Sequence, residues 1–130
     1  MGHYKYKSVL LVDDSYIDNL INRKILEANK FADSIIVMDS PFKAIEYLNS
    51  CSDKESLPEI IFLDIRMPEM SGFEFLQELN NVCNMDGSDL RIYMLSSSLD
   101  PGDLKKVEGN SLVAKFIGKP LTNKVLEEIK

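Results

Sequence analysis

Five positions in this chain carry groups whose chemistry depends on company. They are the adjacent carboxyls of Asp13 and Asp14, the carboxyl of Asp64, the hydroxyl of Ser96 and the ammonium of Lys119. Three carboxylates in one place repel, and at least one takes a raised pKa unless a cation neutralises the group. Oxygen-only donors, with no histidine or cysteine beside them, select a hard ion. Mg2+ typically binds one or two carboxylates together with waters and phosphate oxygens. A lysine beside such a site suits a transferring phosphoryl group, whose equatorial oxygens need positive charge, and a small hydroxyl adds one hydrogen bond. Together these residue types describe Mg2+ and phosphoryl chemistry. Singly each has an ordinary reading. Asp13, Asp14 and Ser15 cap a helix, and Asp64 starts a turn shaped by Pro68 and Gly72. Residues 96–98 are a polar loop, and Lys119 is a solvated lysine. The functional reading therefore needs an architecture that gathers them.

The elements that must do so are legible as apolar runs. Residues 9–12, 35–38, 60–63 and 92–95 are continuously apolar and rich in branched and aromatic types, the pattern of parallel strands covered on both faces. Residues 113–117 make a fifth candidate, with Lys115 at its centre suiting an edge strand. Between the runs, apolar residues recur at helical spacing: Ile17, Leu20, Ile21, Ile25 and Leu26; Ile45 and Leu48; Phe73, Leu76 and Leu79; Val125, Leu126 and Ile129. Ser40-Pro41 and Asp100-Pro101 place a capping side chain before a proline suited to the first helical position. Asp103 follows where a helix carries positive charge. The segment from Leu104 to Glu108 is short and ends at Gly109-Asn110, so a weak helix is expected there. Alternation of strand and helix five times implies an α/β domain with a parallel sheet. The expected fold is a flavodoxin-like three-layer sandwich, strand order 2-1-3-4-5. In such sheets ligands bind outside the carboxyl ends of the strands. Asp13-Asp14, Asp64, Ser96 and Lys119 stand at the ends of strands 1, 3, 4 and 5.

The 130 residues are expected to form one domain, with residues 1–7 an N-terminal extension. A formal net charge of −6 disfavours direct nucleic-acid binding, which needs a basic face. No apolar run approaches the roughly 20 residues of a membrane span, and the start has no signal-peptide core. Cys51 and Cys83 lack metal or redox spacing, and the single histidine is His3. A cytoplasmic protein is the expectation.

The chain resembles the receiver domain of bacterial two-component response regulators, of the chemotaxis-regulator type, from about Val9 to Ile129. The resemblance is carried by Leu11-Val12-Asp13-Asp14-Ser15, by Leu63-Asp64 with Met67-Pro68 and Gly72, by Met94-Leu95-Ser96, and by Gly118-Lys119-Pro120. It implies that Asp64 is the phosphoacceptor, taking a phosphoryl group from a sensor histidine kinase or a histidine phosphotransfer protein. It implies that Asp13, Asp14, Asp64 and the backbone carbonyl of Arg66 hold Mg2+, with Asp13 acting mainly through water. Lys119 would pair with a phosphoryl oxygen. Ser96 and Phe116 match the hydroxyl and aromatic switch positions, though a strand aromatic also packs by default. The fourth helix, fifth strand and fifth helix would form the output face, meeting a downstream partner and, in many members, a second copy. The Arg66 side chain and Ser98 would lie near the path of an attacking water. Residues 83–90 look long for the family and read as an exposed loop.

Other functions are a phosphorelay shuttle, a pseudo-receiver that binds without being phosphorylated, a Mg2+-dependent aspartyl phosphatase and a flavodoxin relative. The phosphatase would need an Asp-x-Asp pair where this chain has adjacent aspartates. A pseudo-receiver usually lacks the acceptor, an acidic residue or the lysine, and a flavodoxin would need a Ser/Thr/Gly-rich loop after strand 1. The resemblance implies a signalling domain rather than an enzyme, one that promotes only its own phosphorylation and dephosphorylation.

Overall fold

The computed structural model describes residues 4–51, 53–82, 90–97, 100–107, 110 and 112–129. Five parallel strands, β1 (Tyr6–Val12), β2 (Ala32–Met38), β3 (Ile60–Asp64), β4 (Arg91–Ser96) and β5 (Val113–Gly118), alternate with helices α1 (Tyr16–Ala28), α2 (Pro41–Ser50), α3 (Gly72–Leu79), α4 (Pro101–Val107) and α5 (Asn123–Glu128). A short 3-10 turn over Lys54–Ser56 precedes β3. The sheet order is β2-β1-β3-β4-β5, as the alternation of elements implied.

The pleat divides the core in two. Leu10, Val12, Ile61, Leu63, Ile92 and Met94 pack with Ala44 and Leu48 of α2 and Phe75, Leu76 and Leu79 of α3. Val9, Leu11, Ile60, Phe62, Tyr93 and Leu95 pack on the other face with Leu26 of α1 and Leu126 and Ile129 near the C-terminus. Every residue of β3 is buried, because both faces are covered and both edges paired. The register shift between Ile92 and Tyr93 on β4 restores the alternation along β5, so that Phe116 lies opposite Met94 and Ile117 opposite Leu95. Phe116 is half-buried against the first cluster. Lys115 stands on the β5 edge, 3.6 Å from Glu128 of α5.

Helix starts follow the capping signals. Ser15, Ser40, Ser71 and Thr122 each accept a backbone N–H of the first turn, and Ser71 with Glu74 completes a reciprocal capping box. Asp100 Oδ1 accepts the Gly102 N–H at 2.9 Å, and α4 runs from Pro101, the first helical position that the capping signal marked, to Val107. Two expectations are corrected. First, β1 begins at Tyr6, so Tyr6 and Lys7 belong to the sheet and not to an extension. The Tyr6 N–H donates to Phe31 O at 2.9 Å, and its ring packs on Phe31 and under the Arg91 guanidinium. Second, the face of α1 carrying Ile17, Leu20 and Ile21 is exposed, and the buried positions are Asn19, Asn22 and Leu26. The first two turns of α1 abut a polar site, so helical periodicity identified the helix and not its inner face. The expected loop before β4 lies, for residues 83–89, outside the described residues.

Gly72 opens α3 against the end of β3, and its N–H donates to Ile65 O at 2.8 Å. A Cβ there would meet Asp64 O at 2.9 Å, Met94 Cε at 2.9 Å and Ile65 Cα at 3.0 Å. Two of these atoms are backbone and cannot yield cheaply. Gly72→Ala is therefore expected to destabilise the fold by about 1–3 kcal/mol, read as a lowered denaturation midpoint at an unchanged slope. A midpoint equal to that of the wild type would show that α3 has room to retreat.

Candidate functional site

The carboxyl ends of β1, β3, β4 and β5 form one rim, where Asp13, Asp64 and Lys119 meet by direct side-chain contacts, Asp14 lies close by, and Ser96 is tied in through its backbone. Asp13 follows β1 and is buried. Its Oδ1 accepts the Ser15 N–H at 2.9 Å, and its carbonyl accepts Asn19 Nδ2 at 2.7 Å. Asp14 is exposed beside it. Asp64 ends β3 and is 4% exposed. Among the described residues, the one group of acidic or metal-binding side chains close enough to hold an ion is Asp13, Asp14 and Asp64, each offering an oxygen within 4.8 Å of the others.

Lys119 supplies the positive charge. Its Nζ lies 2.8 Å from Asp13 Oδ2, 2.9 Å from Asp18 Oδ2 and 3.1 Å from Asp64 Oδ1, with only 12% of its side chain exposed. Two anchors fix the segment around it. The Lys119 N–H donates to Ser96 O at 2.8 Å, and the Leu121 N–H donates to Asn22 Oδ1 at 2.9 Å. The Lys119–Pro120 bond is cis. Ser96, the last residue of β4, is buried at the same rim.

The electrostatics are unbalanced in a way that invites a cation. Burial, and then the negative charge of Asp13, push the Asp64 carboxyl up to about 6, against the opposing pull of Lys119 and the Arg66 N–H. Burial draws the Lys119 ammonium down, but the carboxylates of Asp13, Asp18 and Asp64 close around it outweigh that effect and hold its pKa above the ordinary value. Asp13 Oδ2 is fully buried and meets Lys119 as a charge contact outside hydrogen-bonding alignment, with no donor among the described residues. A small hard cation fits this donor set. In an octahedral Mg2+ shell, neighbouring oxygens stand about 3 Å apart and opposite ones about 4.2 Å, so the three carboxylates would draw together around a bound ion.

Arg66 has two connections. Its N–H donates to Asp64 Oδ1 at 3.4 Å, and its guanidinium reaches Asp103 Oδ2 of α4 at 2.8 Å. The side chain expected near the attacking water thus also ties the loop after β3 to α4. Ser98 lies outside the described residues. Sequence reasoning missed Asp18, Asn19 and Asn22, and it read Asp103 only as a charge at a helix start. The signal that could have found these three was a cluster of short polar residues in the first two turns of α1; nothing local marked Asp103 as a partner for Arg66.

The family model for the response regulator receiver domain matches residues 9–129, and the chain belongs to that family. It is 30% identical over 125 residues to a two-component response regulator of rice, Oryza sativa subsp. japonica, covering 94% of this chain and 53% of that protein. The chain thus spans about half the length of that relative. It is 29% identical to a protein-glutamate methylesterase/protein-glutamine glutaminase of Burkholderia thailandensis, covering 90% of this chain and 30% of that enzyme. Among solved structures, a two-component response regulator from Cytophaga hutchinsonii superposes with a TM-score of 0.85 at 33% identity, covering 95% of this chain and 92% of that one. The receiver domain of an Arabidopsis thaliana histidine kinase, solved with Mg2+, shares the fold at a TM-score of 0.79 and 24% identity, covering 95% and 92% of the two chains. The acidic pocket agrees with a phosphoacceptor site, and the phosphatase and pseudo-receiver readings are not favoured. Among the described residues, no helix is long and apolar enough to cross a membrane.

The raised Asp64 carboxyl has a consequence for stability. Below its ordinary value of 3.8, Asp64 is protonated in both folded and unfolded chains; between 3.8 and about 6 only the folded chain keeps the proton. Stability therefore falls as pH rises through that window, and at neutral pH the buried carboxylate opposes folding. Without divalent cation, Asp64→Asn is expected to stabilise the protein at pH 7 by roughly 1–2 kcal/mol. The gain should shrink towards pH 4. Thermal melts across that range check it; a gain independent of pH would assign the effect to packing instead.

Proposed function

We propose that residues 1–130 act as one phosphoacceptor domain, in which Asp64 takes a phosphoryl group and the surface beyond Ser96 responds. The observation carrying this reading is the joint contact of Lys119 with Asp13 and Asp64, beside an Asp14 close enough to share a cation. A deprotonated Asp64 oxygen attacks the phosphorus of a phosphohistidine. A P–O bond forms, the P–N bond breaks, and its electron pair returns to the donor imidazole. Asp13, Asp14, Asp64 and the Arg66 carbonyl would hold Mg2+, which neutralises the clustered charge and orients phosphoryl oxygens when bound. Lys119 then faces the transferred group, whose oxygens replace a carboxylate as its partner. The family membership and the donor set both support Mg2+.

Ser96 is the hydroxyl that follows the new charge, and Phe116, half-buried beside Met94, is the aromatic that repacks with it. The output face is α4, β5 and α5, offered to a downstream protein or a second copy. The donor is a sensor histidine kinase or a histidine phosphotransfer protein, a donor class that supports a cytoplasmic location, and the acidic charge of the chain speaks against a direct role for nucleic acid. Tyr16, Ile17, Leu20 and Ile21 support that donor class, since they leave an exposed apolar stripe on α1 directly beside the Asp14 rim. Replacing Ile17 and Leu20 together with lysine is expected to spare phosphorylation by phosphoramidate. It should slow transfer from a phosphorylated histidine phosphotransfer protein more than about tenfold, roughly 1.4 kcal/mol. Equal slowing with both donors would place the damage in the site.

The direct test is intact mass after incubation with phosphoramidate, with and without Mg2+, for the wild type and Asp64→Asn. One added phosphoryl group that requires both Mg2+ and Asp64 is expected. No adduct on a folded, Mg2+-binding wild type, joined to failure to form a beryllofluoride complex, would refute the reading.

A further inference from the structure

Three carboxylates surround the Lys119 ammonium, and they are not equivalent: the hydrogen bond runs to Asp18, while Asp13 and Asp64 meet it as ion pairs. Asp13 and Asp64 belong to the cluster that can hold a cation, while Asp18 does not. Asp18 lies one helical turn beyond Asp14, in the first turn of α1, and its backbone N–H donates to the capping Ser15 Oγ at 3.2 Å. Its side chain is 37% exposed, on the solvent side of a lysine that is 12% exposed. Asn22, one turn further along the same helix, accepts the Leu121 N–H. The helix thus holds the backbone after Lys119 as well as its ammonium.

Without Asp18, the remaining attractions on Lys119 point towards Asp13 and Asp64 alone. The ammonium would settle deeper among those carboxylates, where it competes with a divalent cation and turns from an incoming phosphoryl group. A surface ion pair contributes little to stability as a rule, so a purely structural role for Asp18 predicts almost no effect on chemistry. The position of a charge that stabilises a transferring group, by contrast, acts directly on rate.

We propose that Asp18 is a positioning residue for phosphoryl transfer, holding the Lys119 ammonium at the edge of the acidic cluster so that it meets the phosphoryl group and leaves the cation's place open. The proposal rests on the phosphoacceptor reading above and names a further residue of that same site. When Asp13 and Asp64 turn their oxygens to the cation and the phosphoryl group, Asp18 keeps its hold on the lysine. Because Asp18 sits on the helix whose exposed face would receive a protein donor, it also joins that face to the lysine by a single side chain.

The test follows the rate of the Asp64 adduct by intact mass, at saturating Mg2+ and increasing phosphoramidate, for the wild type, Asp18→Ala and Asp18→Asn. Alanine suits an exposed helical position, and asparagine keeps an oxygen for Lys119 without the charge. The expected result for Asp18→Ala is a maximal rate about tenfold lower or more, at an unchanged half-saturating phosphoramidate concentration, with Asp18→Asn recovering most of the loss. A maximal rate in Asp18→Ala within twofold of the wild type overturns the proposal, as does an Asp18→Asn variant no faster than Asp18→Ala. A wild-type chain that takes up no phosphoryl group removes the phosphoacceptor reading, and this proposal with it. A labelled wild type with an unaffected Asp18→Ala removes this proposal alone.

Discussion

Three carboxylates and one buried ammonium at the rim of the sheet set the terms for everything around them. Asp13 and Asp64 are both nearly inaccessible to water, and Lys119 stands between them. Taking such charges out of water is unfavourable unless they are paired, and one lysine cannot fully neutralise three carboxylates. The surroundings are arranged accordingly. Backbone N–H groups of Ser15 and Arg66 turn to Asp13 and Asp64, and the side-chain amide of Asn19 fixes the Asp13 carbonyl. The elements delivering Asp13 and Asp64 are β1 and β3, interior strands whose side chains at positions 9–12 and 60–64 are almost wholly enclosed. A misfit of charge can be kept in place only by parts that do not give way.

That division explains what could be read from the sequence and what could not. Continuous apolar runs ending in Asp13, Asp64 and Ser96 were legible, because a strand buried on both faces leaves a local, unbroken pattern. Lys119 was legible by its place after the last strand, and the sheet order followed from alternation and handedness. The inner face of α1 was not. Periodicity assigned Ile17, Leu20 and Ile21 to a helical stripe, but the first turns of that helix meet a polar rim, so Asn19 and Asn22 face inward. Asp18 went unnoticed because its partner is 101 residues away. Tyr6 and Lys7 were set aside with the N-terminal segment, yet Tyr6 packs on Phe31 and beneath Arg91, contacts that exist only once β1, β2 and β4 are gathered into one sheet. Local pattern reports burial; it does not report partners.

The loop after β3 connects the rim to one flank of the molecule. Arg66 touches Asp64 through its backbone and Asp103 through its guanidinium, so a single residue spans the acidic cluster and α4. Gly72 keeps the following helix pressed against the end of β3, which fixes the far end of the same loop. A change of charge at Asp64 is therefore felt within two residues by a group that also holds α4.

The manner in which α4 is held has a further consequence. Its ties to the β3–α3 side include the ion pair from Asp103 to Arg66 and the Lys106 ammonium over the Phe73 ring at 4.9 Å, while Leu104 remains 42% exposed. The central strands bury their side chains almost completely, so their amides are expected to exchange with solvent only when the whole chain opens. A seven-residue helix whose described side chains are exposed, apart from Asp103, is expected to open at lower free energy. Resistance to opening thus declines across the domain from β1 and β3 towards α4. A perturbation worth about 1–3 kcal/mol, the usual scale of coupling between sites, is too small to disturb the middle of the sheet but large enough to redistribute the states of α4. Such a gradient would let α4 respond to a change of charge at the rim while the middle of the sheet keeps its form.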